Sequence, residues 1–296
     1  MKITINKRIP LKDIPSASGI SILHDSIYIV GDDSPYLFKL NAAFEITERI
    51  QVTNQETEKG RIPKPIKPDF EAIAEVNRGG KKELLVFGSG SKLKLRETLL
   101  RIELDEPDKR VSTHSLSALY AHLKATSGIA DANFNIEGAA IGSRALYLFN
   151  RGNNQLFVIG LEAFLQYIEN EKAHVPQVKT FRYYLPRLKG VMAGFSGACL
   201  LPDNQHILFT ASLENTTDWY NDGEVLGSFI GLLPLEKLNQ ESPVCKKVVD
   251  EQGSDYLGKI ESIAIKSHNP DGSYTVYAVT DSDGGVSELL EMSLVM

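Results

Sequence analysis

The sequence is poor in the features that mark several classes of protein. Its 296 residues include only two cysteines, Cys199 and Cys245, which are too few for a disulfide framework. No apolar run approaches the roughly 18 residues that a membrane span needs. Residues 1–15 lack the apolar segment of a signal peptide. We therefore expect no membrane partner, and a cytoplasmic location by default, or a secreted or periplasmic one if a leader has been removed.

Positive charge and the common hydrolase motifs are also scarce. Lysine and arginine number 32 against 38 acidic residues, so the net charge of −6 argues against a nucleic-acid partner. The six histidines form no HxxxH or HExxH pair, and GxSxG and P-loop patterns are absent. These absences exclude the usual zinc, serine and P-loop enzymes. Hydrophobic residues at 42% and charged residues at 24% are typical of a globular protein, which we expect to be a monomer.

One hexapeptide pattern recurs five times along the chain. An apolar residue is followed by Ser or Glu, then a small residue, then the start of a mostly apolar strand. The copies are ASGISI at 17–22, FEAIAE at 70–75, IEGAAI at 136–141, FSGACL at 195–200 and IESIAI at 260–265. Glu75 is the one clear breach of the template. A fixed internal repeat with spacings of 53 to 66 residues indicates a repeat architecture.

Each hexapeptide is followed by further short β-rich runs bounded by Gly, Asn, Asp or Pro. Four strands per unit is the signature of a β-propeller blade. The sequence therefore predicts an all-β fold, a single five-bladed β-propeller domain over residues 1–296. The blades are expected at about 16–55, 68–115, 133–187, 193–250 and 258–296 plus 1–10.

The fifth repeat ends after three strands, and the start of the chain can supply the fourth. Residues 2–9 alternate as a strand does, and pairing the two termini in one blade removes exposed edges. Residues 115–124 and 161–168 have apolar side chains at helical spacing. We expect these two helices to cap the rim or the gaps between blades, with a partner site as the alternative.

The polar members of the repeat are predicted to form a ring around the central channel. They are Ser18, Glu71, Glu137, Ser196 and Glu261. Three carboxylates converging on one axis repel each other and raise one another's pKa, and a bound cation removes that cost. Oxygen ligands select a hard ion, and Ca²⁺ accepts about 6 to 8 of them, while Mg²⁺ prefers a tight octahedron. The alternative is that these side chains only bond to strand amides or solvate the channel.

The order Ser, Glu, Glu, Ser, Glu at the five ring positions, together with short motifs in several blades, resembles the calcium-activated nucleotidase (apyrase) family. The motifs are the first-blade segment 18–33, which ends in Asp32 and Asp33, GSGSK at 88–92, GFSG at 194–197 and SLE at 212–214. The resemblance implies a five-bladed propeller with a central Ca²⁺ held by the five ring residues. The family's acidic Asp-Leu-Asp element has no counterpart in residues 1–15. Similar Glu-Gly strand starts occur in propellers of the phytase-like and SdiA-regulated groups.

The turns after the second strands of the blades are predicted to meet at one end of the channel. Their candidate polar residues are Asp32, Asp33, Lys92, Lys94, Arg96, Arg151, Glu214, Asp281 and Asp283. Ordinary turn chemistry is the alternative explanation for the aspartates. The loop 215–227 carries the only tryptophan, Trp219, which we expect to pack on a neighbouring blade rather than stack on a ligand.

Two functions remain open at this point. The first is a Ca²⁺-dependent (or Mg²⁺-dependent) phosphohydrolase, nucleotidase-like, acting on a small phosphorylated ligand in the channel, with Asp32, Asp33, Arg151 and Glu214 as the catalytic residues. The second is a non-catalytic binding or scaffold propeller whose central ion is structural and whose ligand is unknown. The missing acidic element favours the second, whereas the paired aspartates favour the first.

Overall fold

A computed structural model describes residues 1–104, 109–170, 173–215, 223–250, 252–282 and 286–296 of the chain. Five antiparallel sheets of four strands each form the blades of a β-propeller, which confirms the predicted fold class. No helix among these residues is both long enough and apolar enough to cross a membrane.

The strands follow one another blade by blade. A first strand, β1 (Lys2–Pro10), precedes blade 1, which contains β2 (Ala17–Leu23), β3 (Ser26–Gly31), β4 (Tyr36–Leu40) and β5 (Ile46–Gln51). Blade 2 contains β6 (Phe70–Arg78), β7 (Lys81–Gly88), β8 (Thr98–Glu103) and β9 (Arg110–Ser115). Blade 3 contains β10 (Ile136–Ile141), β11 (Ala145–Asn150), β12 (Gln155–Gly160) and β13 (Val178–Arg182).

A small hairpin separates the third and fourth blades. It consists of β14 (Arg187–Leu188) and β15 (Val191–Met192). Blade 4 contains β16 (Gly194–Leu200), β17 (His206–Asn215), β18 (Glu224–Pro234) and β19 (Val244–Lys247). Blade 5 contains β20 (Lys259–His268), β21 (Tyr274–Asp281), β22 (Glu288–Val295) and the first strand, β1.

The two ends of the chain meet in blade 5, as the alternating N-terminal segment predicts. Strand β1 pairs antiparallel with β22, from Lys2 opposite Val295 to Pro10 opposite Glu288. Ile3 and Ile5 of β1 are buried in the cluster between blades 4 and 5. The pairing covers the edge of β22, so the ring closes through hydrogen bonds as well as packing.

The hydrophobic core is divided among the gaps between blades. The innermost strands β2, β6, β10, β16 and β20 each contact the two neighbouring innermost strands, in that order around the axis. Five apolar clusters fill the five gaps between adjacent blades. Each gap between blades therefore buries apolar side chains from both of the sheets that face it.

The two predicted helices exist, with small shifts in their bounds. Helix α1 (Ser117–Ser127) begins two residues later than predicted because Ser115 still belongs to β9, and it ends at Gly128, whose φ of +69° suits a helix C-cap. Helix α2 (Leu161–Glu169) follows β12 directly. Both pack on the cluster between blades 2 and 3, as expected for helices that cap a gap. Short 3₁₀ turns lie at Asp131–Asn133 and Leu235–Lys237.

The largest difference from the predicted strands lies in blade 4. The sequence predicts a loop over residues 215–227 between the second and third strands of this blade. Instead Glu214 pairs with Val225 and Asn215 with Glu224, so the hairpin extends beyond both predicted ends. This extension projects Glu214 from a strand rather than from a loop. Trp219 and Asp283 lie outside the described residues.

Candidate functional site

Each innermost strand begins with the same irregularity. The pairing register skips one residue between positions 17 and 19, 70 and 72, 136 and 138, 195 and 197, and 260 and 262. The skipped residues are Ser18, Glu71, Glu137, Ser196 and Glu261. A bulge leaves its extra residue unpaired and re-aims its side chain. The structure thus gives the five ring residues one equivalent position, at the same end of the channel.

The two ring serines tie neighbouring blades together. Ser18 Oγ donates to the carbonyl oxygen of Phe70 at 2.5 Å, from blade 1 to blade 2. Ser196 Oγ donates to the carbonyl oxygen of Ile260 at 2.6 Å, from blade 4 to blade 5. A hydroxyl keeps acceptor lone pairs when it donates its proton, so these bonds leave each serine able to face a cation.

An acidic trio occupies the side of the channel mouth formed by blades 1 and 2. Oxygens of Asp32, Asp69 and Glu71 all lie within 4.8 Å of one another. Asp32 directly follows β3, and Asp69 and Glu71 flank the start of β6. The ammonium of Lys67 contacts Asp32 and lies 2.7 Å from Asp69 Oδ1. Arg96 Nη1 lies 2.6 Å from Asp69 Oδ2. This arrangement brings three oxygen ligands to one point.

Two carboxylates of the trio accept few hydrogen bonds. Asp32 Oδ1 is buried without a hydrogen-bond partner. Glu71 accepts no hydrogen bond from the described part of the chain, although its repeat equivalents Glu137 and Glu261 each have a cationic partner. A buried polar atom such as Asp32 Oδ1 is rarely left without a partner, and a bound ion or water is one of the accepted reasons.

Protonation of the trio reflects this shortage of donors. Burial raises the pKa of Asp32 to about 7, against the opposing effect of Lys67. Burial, with the nearby charges of Asp69 and Asp32, raises the pKa of Glu71 well above its usual value. Burial also opposes ionisation of Asp69, but Lys67 and Arg96 outweigh it and lower that pKa. Asp32 and Glu71 therefore hold protons that a divalent cation would displace.

A second network of buried charges lies on the side formed by blades 3 to 5. Arg151 follows β11, and its guanidinium contacts Glu137 Oε2 at 3.1 Å, Ser212 Oγ at 2.7 Å and Glu214 Oε2 at 3.3 Å. Lys259 Nζ lies 2.9 Å from Glu261 Oε1 and 3.6 Å from Glu214 Oε2. Glu214 therefore links the two cations.

The carboxylates of this second network have different protonation states. Burial raises the pKa of Glu137 to about 7, although Arg151 opposes the shift. Burial would raise the pKa of Glu214 as well, but Lys259 and Arg151 outweigh it, and the pKa lies below its usual value. Glu214 is therefore ionised at neutral pH and can accept a proton. A cavity of about 320 Å³, walled in part by the β14–β15 hairpin, opens beside Arg151, Ser212 and Glu214.

The remaining predicted residues are placed differently. Asp281 is the last residue of β21. Asp33 pairs with Arg61 at 2.7 Å, and its Oδ1 atom is buried without a partner. Arg96 joins the acidic trio. Lys92 and Lys94, in contrast, are exposed and lie outside both networks; Lys92 Nζ donates to the Pro65 carbonyl at 3.1 Å. The turn after the second strand of blade 2 therefore contributes one cation to the mouth, not three.

Sequence reasoning missed Lys67, Asp69 and Lys259, which complete the two networks. A signal for two of them was present in the repeat. The residues two positions before the bulges are Ser16, Asp69, Asn135, Gly194 and Lys259, and four of these five are polar. Extending the hexapeptide template upstream by two residues would have found this second ring. Lys67 lies outside the repeat, so it had no such signal.

Comparison with known proteins adds the fold relationship and a family. The glutaminyl cyclase of Myxococcus xanthus is similar over 99% of this chain and 97% of that one, with a TM-score of 0.54 and 10% identity. The PQQ-bound aldose sugar dehydrogenase of Streptomyces coelicolor is similar over 99% and 98%, with a TM-score of 0.52 and 11% identity. Such low identities establish a shared fold alone. No curated protein matches the sequence.

A family model does match nearly the whole sequence. The match covers residues 13–294, which include all five bulges and both charge networks. The chain therefore belongs to the family of unknown function DUF6929.

Proposed function

We propose that this propeller is a Ca²⁺-dependent phosphohydrolase, nucleotidase-like, acting on a small phosphorylated ligand at the mouth of the central channel. The observation that carries the proposal is the pairing of two unlike networks across one mouth. Asp32, Asp69 and Glu71 offer three clustered carboxylates on one side, and Asp32 Oδ1 has no hydrogen-bond partner. On the other side, the buried Arg151 and the partly buried Lys259 place two cations around the ionised Glu214.

The charge balance of the mouth supports a divalent ion. The ion-pair networks together with Glu71 contain seven carboxylates and five cationic side chains, which leaves two negative charges in excess when every carboxylate is ionised. The carboxylates are Asp32, Asp33, Asp69, Glu71, Glu137, Glu214 and Glu261, and the cations are Arg61, Lys67, Arg96, Arg151 and Lys259. One divalent cation would neutralise this excess.

The donor set fits a hard cation. All of the ligands on offer are oxygens, which suits Ca²⁺ first and Mg²⁺ second. Asp32, Asp69 and Glu71 would hold the ion directly, and it would compete with the Lys67 ammonium for the two aspartates. The order Ser, Glu, Glu, Ser, Glu at the five bulges supports the same ion through its resemblance to the calcium-activated nucleotidases.

The protein's own residues would then supply the rest of a hydrolytic site. A bound cation polarises a phosphoryl oxygen. Arg151 and Lys259 neutralise the charge that develops on the phosphoryl group. Glu214 accepts a proton from water as the water oxygen bonds to phosphorus and the bond to the leaving oxygen breaks. Asp33, with its unpartnered Oδ1, can orient that water.

A second function is favoured by one specific observation. In this structure Arg151 and Lys259 already contact Glu137, Glu214 and Glu261. An incoming phosphate would have to displace at least one of these carboxylates. A binding propeller with a structural ion avoids that step, since its cations would serve only to hold the blades together.

Phosphate release separates the two functions. Chelator-treated protein, with and without added Ca²⁺, would be assayed against a panel of nucleoside diphosphates. The enzyme proposal predicts Ca²⁺-dependent release that Glu214→Gln lowers by a factor of about 10² to 10⁴. Lys92→Ala, a cation outside both networks, is the control and should leave release unchanged. A calcium-dependent rise in melting temperature without any phosphate release would establish the binding propeller instead.

A further inference from the structure

The channel contains a second cavity, toward the opposite mouth from the bulges. Its volume is about 710 Å³, and the innermost strands of all five blades contribute to its wall. Three residues after each bulge, the side chain on this wall is small: Ser21, Ala74, Ala140, Cys199 and Ala264. A cavity of this size with a mostly apolar wall falls within the range of small-molecule sites.

The next position along each strand also lines the cavity. Four blades place an aliphatic side chain there, and each packs against the apolar cluster between two blades. These residues are Ile22, Ile141, Leu200 and Ile265. An aliphatic residue at this position thus has a clear structural role, which is to seal the end of a blade interface.

Glu75 is the exception in blade 2, where it takes the place of the aliphatic residue. Its carboxylate lies 2.9 Å from Lys82 Nζ, and the two side chains are 31% and 34% exposed. An ion pair this exposed contributes little to folding stability, whereas the aliphatic residue it replaces would have sealed the interface. Stability therefore does not explain why a carboxylate stands at this point of an apolar wall.

The other titratable side chains on the cavity wall have partners of their own. Among the described residues that line the cavity, Lys266 carries the only other fixed charge, and its ammonium pairs with Asp25 at 2.8 Å. His268 stacks on Tyr274, with ring centroids 4.6 Å apart. Glu75 is thus the polar group that differs most from its equivalents in the repeat and lies on the cavity wall.

We propose that this cavity binds a small apolar ligand that carries one cationic group, such as an aliphatic amine. The hydrocarbon part fills the space between the small side chains, and the ammonium pairs with Glu75 at the rim. The site is separate from the charged mouth and does not depend on the proposed hydrolase activity.

The test uses amines and matched analogues of equal chain length. Isothermal titration calorimetry would measure hexylamine, octylamine and decylamine, with octanoate and 1-octanol as the anionic and neutral counterparts of octylamine. Burial of the chain predicts a dissociation constant that falls about fourfold with each added methylene. The charge at Glu75 predicts that octylamine binds more tightly than octanol, and octanol more tightly than octanoate.

Two substitutions at the ion pair should act in opposite directions. Glu75→Gln should weaken octylamine about three- to fivefold, to the level of octanol, because an exposed ion pair contributes at most this much. Lys82→Met should strengthen octylamine binding, since it leaves the Glu75 carboxylate without its present partner. Glu71→Gln, at the other mouth, is the control and should leave the dissociation constants of octylamine and octanol unchanged.

Two further readouts locate the ligand. Ala140→Leu and Ala264→Leu fill the cavity from different blades. A variant that retains the circular dichroism spectrum of the parent should no longer bind any of the alkyl ligands. In a Cys245→Ser background, octylamine should slow alkylation of Cys199, which lines the cavity. Octanoate binding as tightly as octylamine, an unchanged affinity in Glu75→Gln, or no saturable binding of any amine would overturn the proposal.

Discussion

Glu71 differs from the other ring glutamates in its surroundings rather than in its backbone position. Glu137 and Glu261 occupy the same bulge in their blades, yet each contacts a cation, Arg151 or Lys259. Glu71 has Asp32 and Asp69 as its close neighbours instead. A repeat places side chains in a ring, and the residues around each position then decide which of them are free to bind an ion.

The residue scale also yields a prediction for pH. The folded-state pKa of Asp32, about 7, lies above its usual value of 3.8, so the native state binds more protons than the unfolded state between these limits. Without metal, this group should therefore lower the free energy of unfolding as the pH rises from about 4 to 7. The effect should be smaller in Asp32→Asn, which has no proton to lose.

Urea denaturation at pH 5 and pH 7.5 in the presence of chelator measures this difference. The parent protein should lose more stability between the two pH values than Asp32→Asn does, by an amount of the order of a few kcal/mol. Saturating Ca²⁺ should remove the difference between the two proteins. Parallel pH profiles in chelator would show that Asp32 titrates normally.

At the scale of the strand, the repeat encodes a bulge and the space for it. The residue after each bulge is Gly19, Ala72, Gly138, Gly197 or Ser262, and all are small. A Cβ on Gly197 would lie 2.5 Å from the carbonyl oxygen of Glu261 and 2.6 Å from the Cα of Ser262. The small residue in the hexapeptide is thus required by the close approach of the next innermost strand.

Gly197→Ala tests this reading. The added methyl group would meet backbone atoms that cannot move independently, so we expect a loss of about 1–3 kcal/mol in the free energy of unfolding. Gly142→Ala is a matched control, because its Cβ would have 3.6 Å to its nearest neighbour, a side-chain atom of Tyr147. Urea denaturation of both variants gives the comparison. An equal cost at the two positions would argue against close packing as the reason for the small residue.

At the scale of the whole molecule, the sequence predicts the architecture more completely than it predicts the candidate site. The five hexapeptides located every innermost strand, and the alternation in residues 2–9 located the closing strand. The bounds of α1 and of the blade 4 hairpin were less accurate, since pairing at Glu214 and Asn215 depends on the partner strand. The charge networks could be predicted only in part, because Lys67 approaches Asp32 and Asp69 from a loop that has no repeat.

Closure of the ring through β1 can be tested by removing that strand. Removal of residues 1–10 would expose the edge of β22 and take the buried Ile3 and Ile5 out of the cluster between blades 4 and 5. The shortened protein should melt at a lower temperature and associate through the open edge. Size-exclusion chromatography with calorimetry measures both effects. A shortened protein with the elution volume and melting temperature of the parent would show that β1 is not needed for closure.

The central claim is that the acidic trio at the channel mouth binds a divalent cation, and a melting experiment tests it most directly. Chelator-treated parent protein, Glu71→Gln and Glu75→Gln would be melted with and without Ca²⁺. Calcium at 100 times its dissociation constant should stabilise the parent by about 2.7 kcal/mol. Glu75→Gln, four residues along the same strand, should respond as the parent does, and Glu71→Gln should lose the response. An equal calcium shift in Glu71→Gln, or no shift in the parent with either Ca²⁺ or Mg²⁺, would contradict the account.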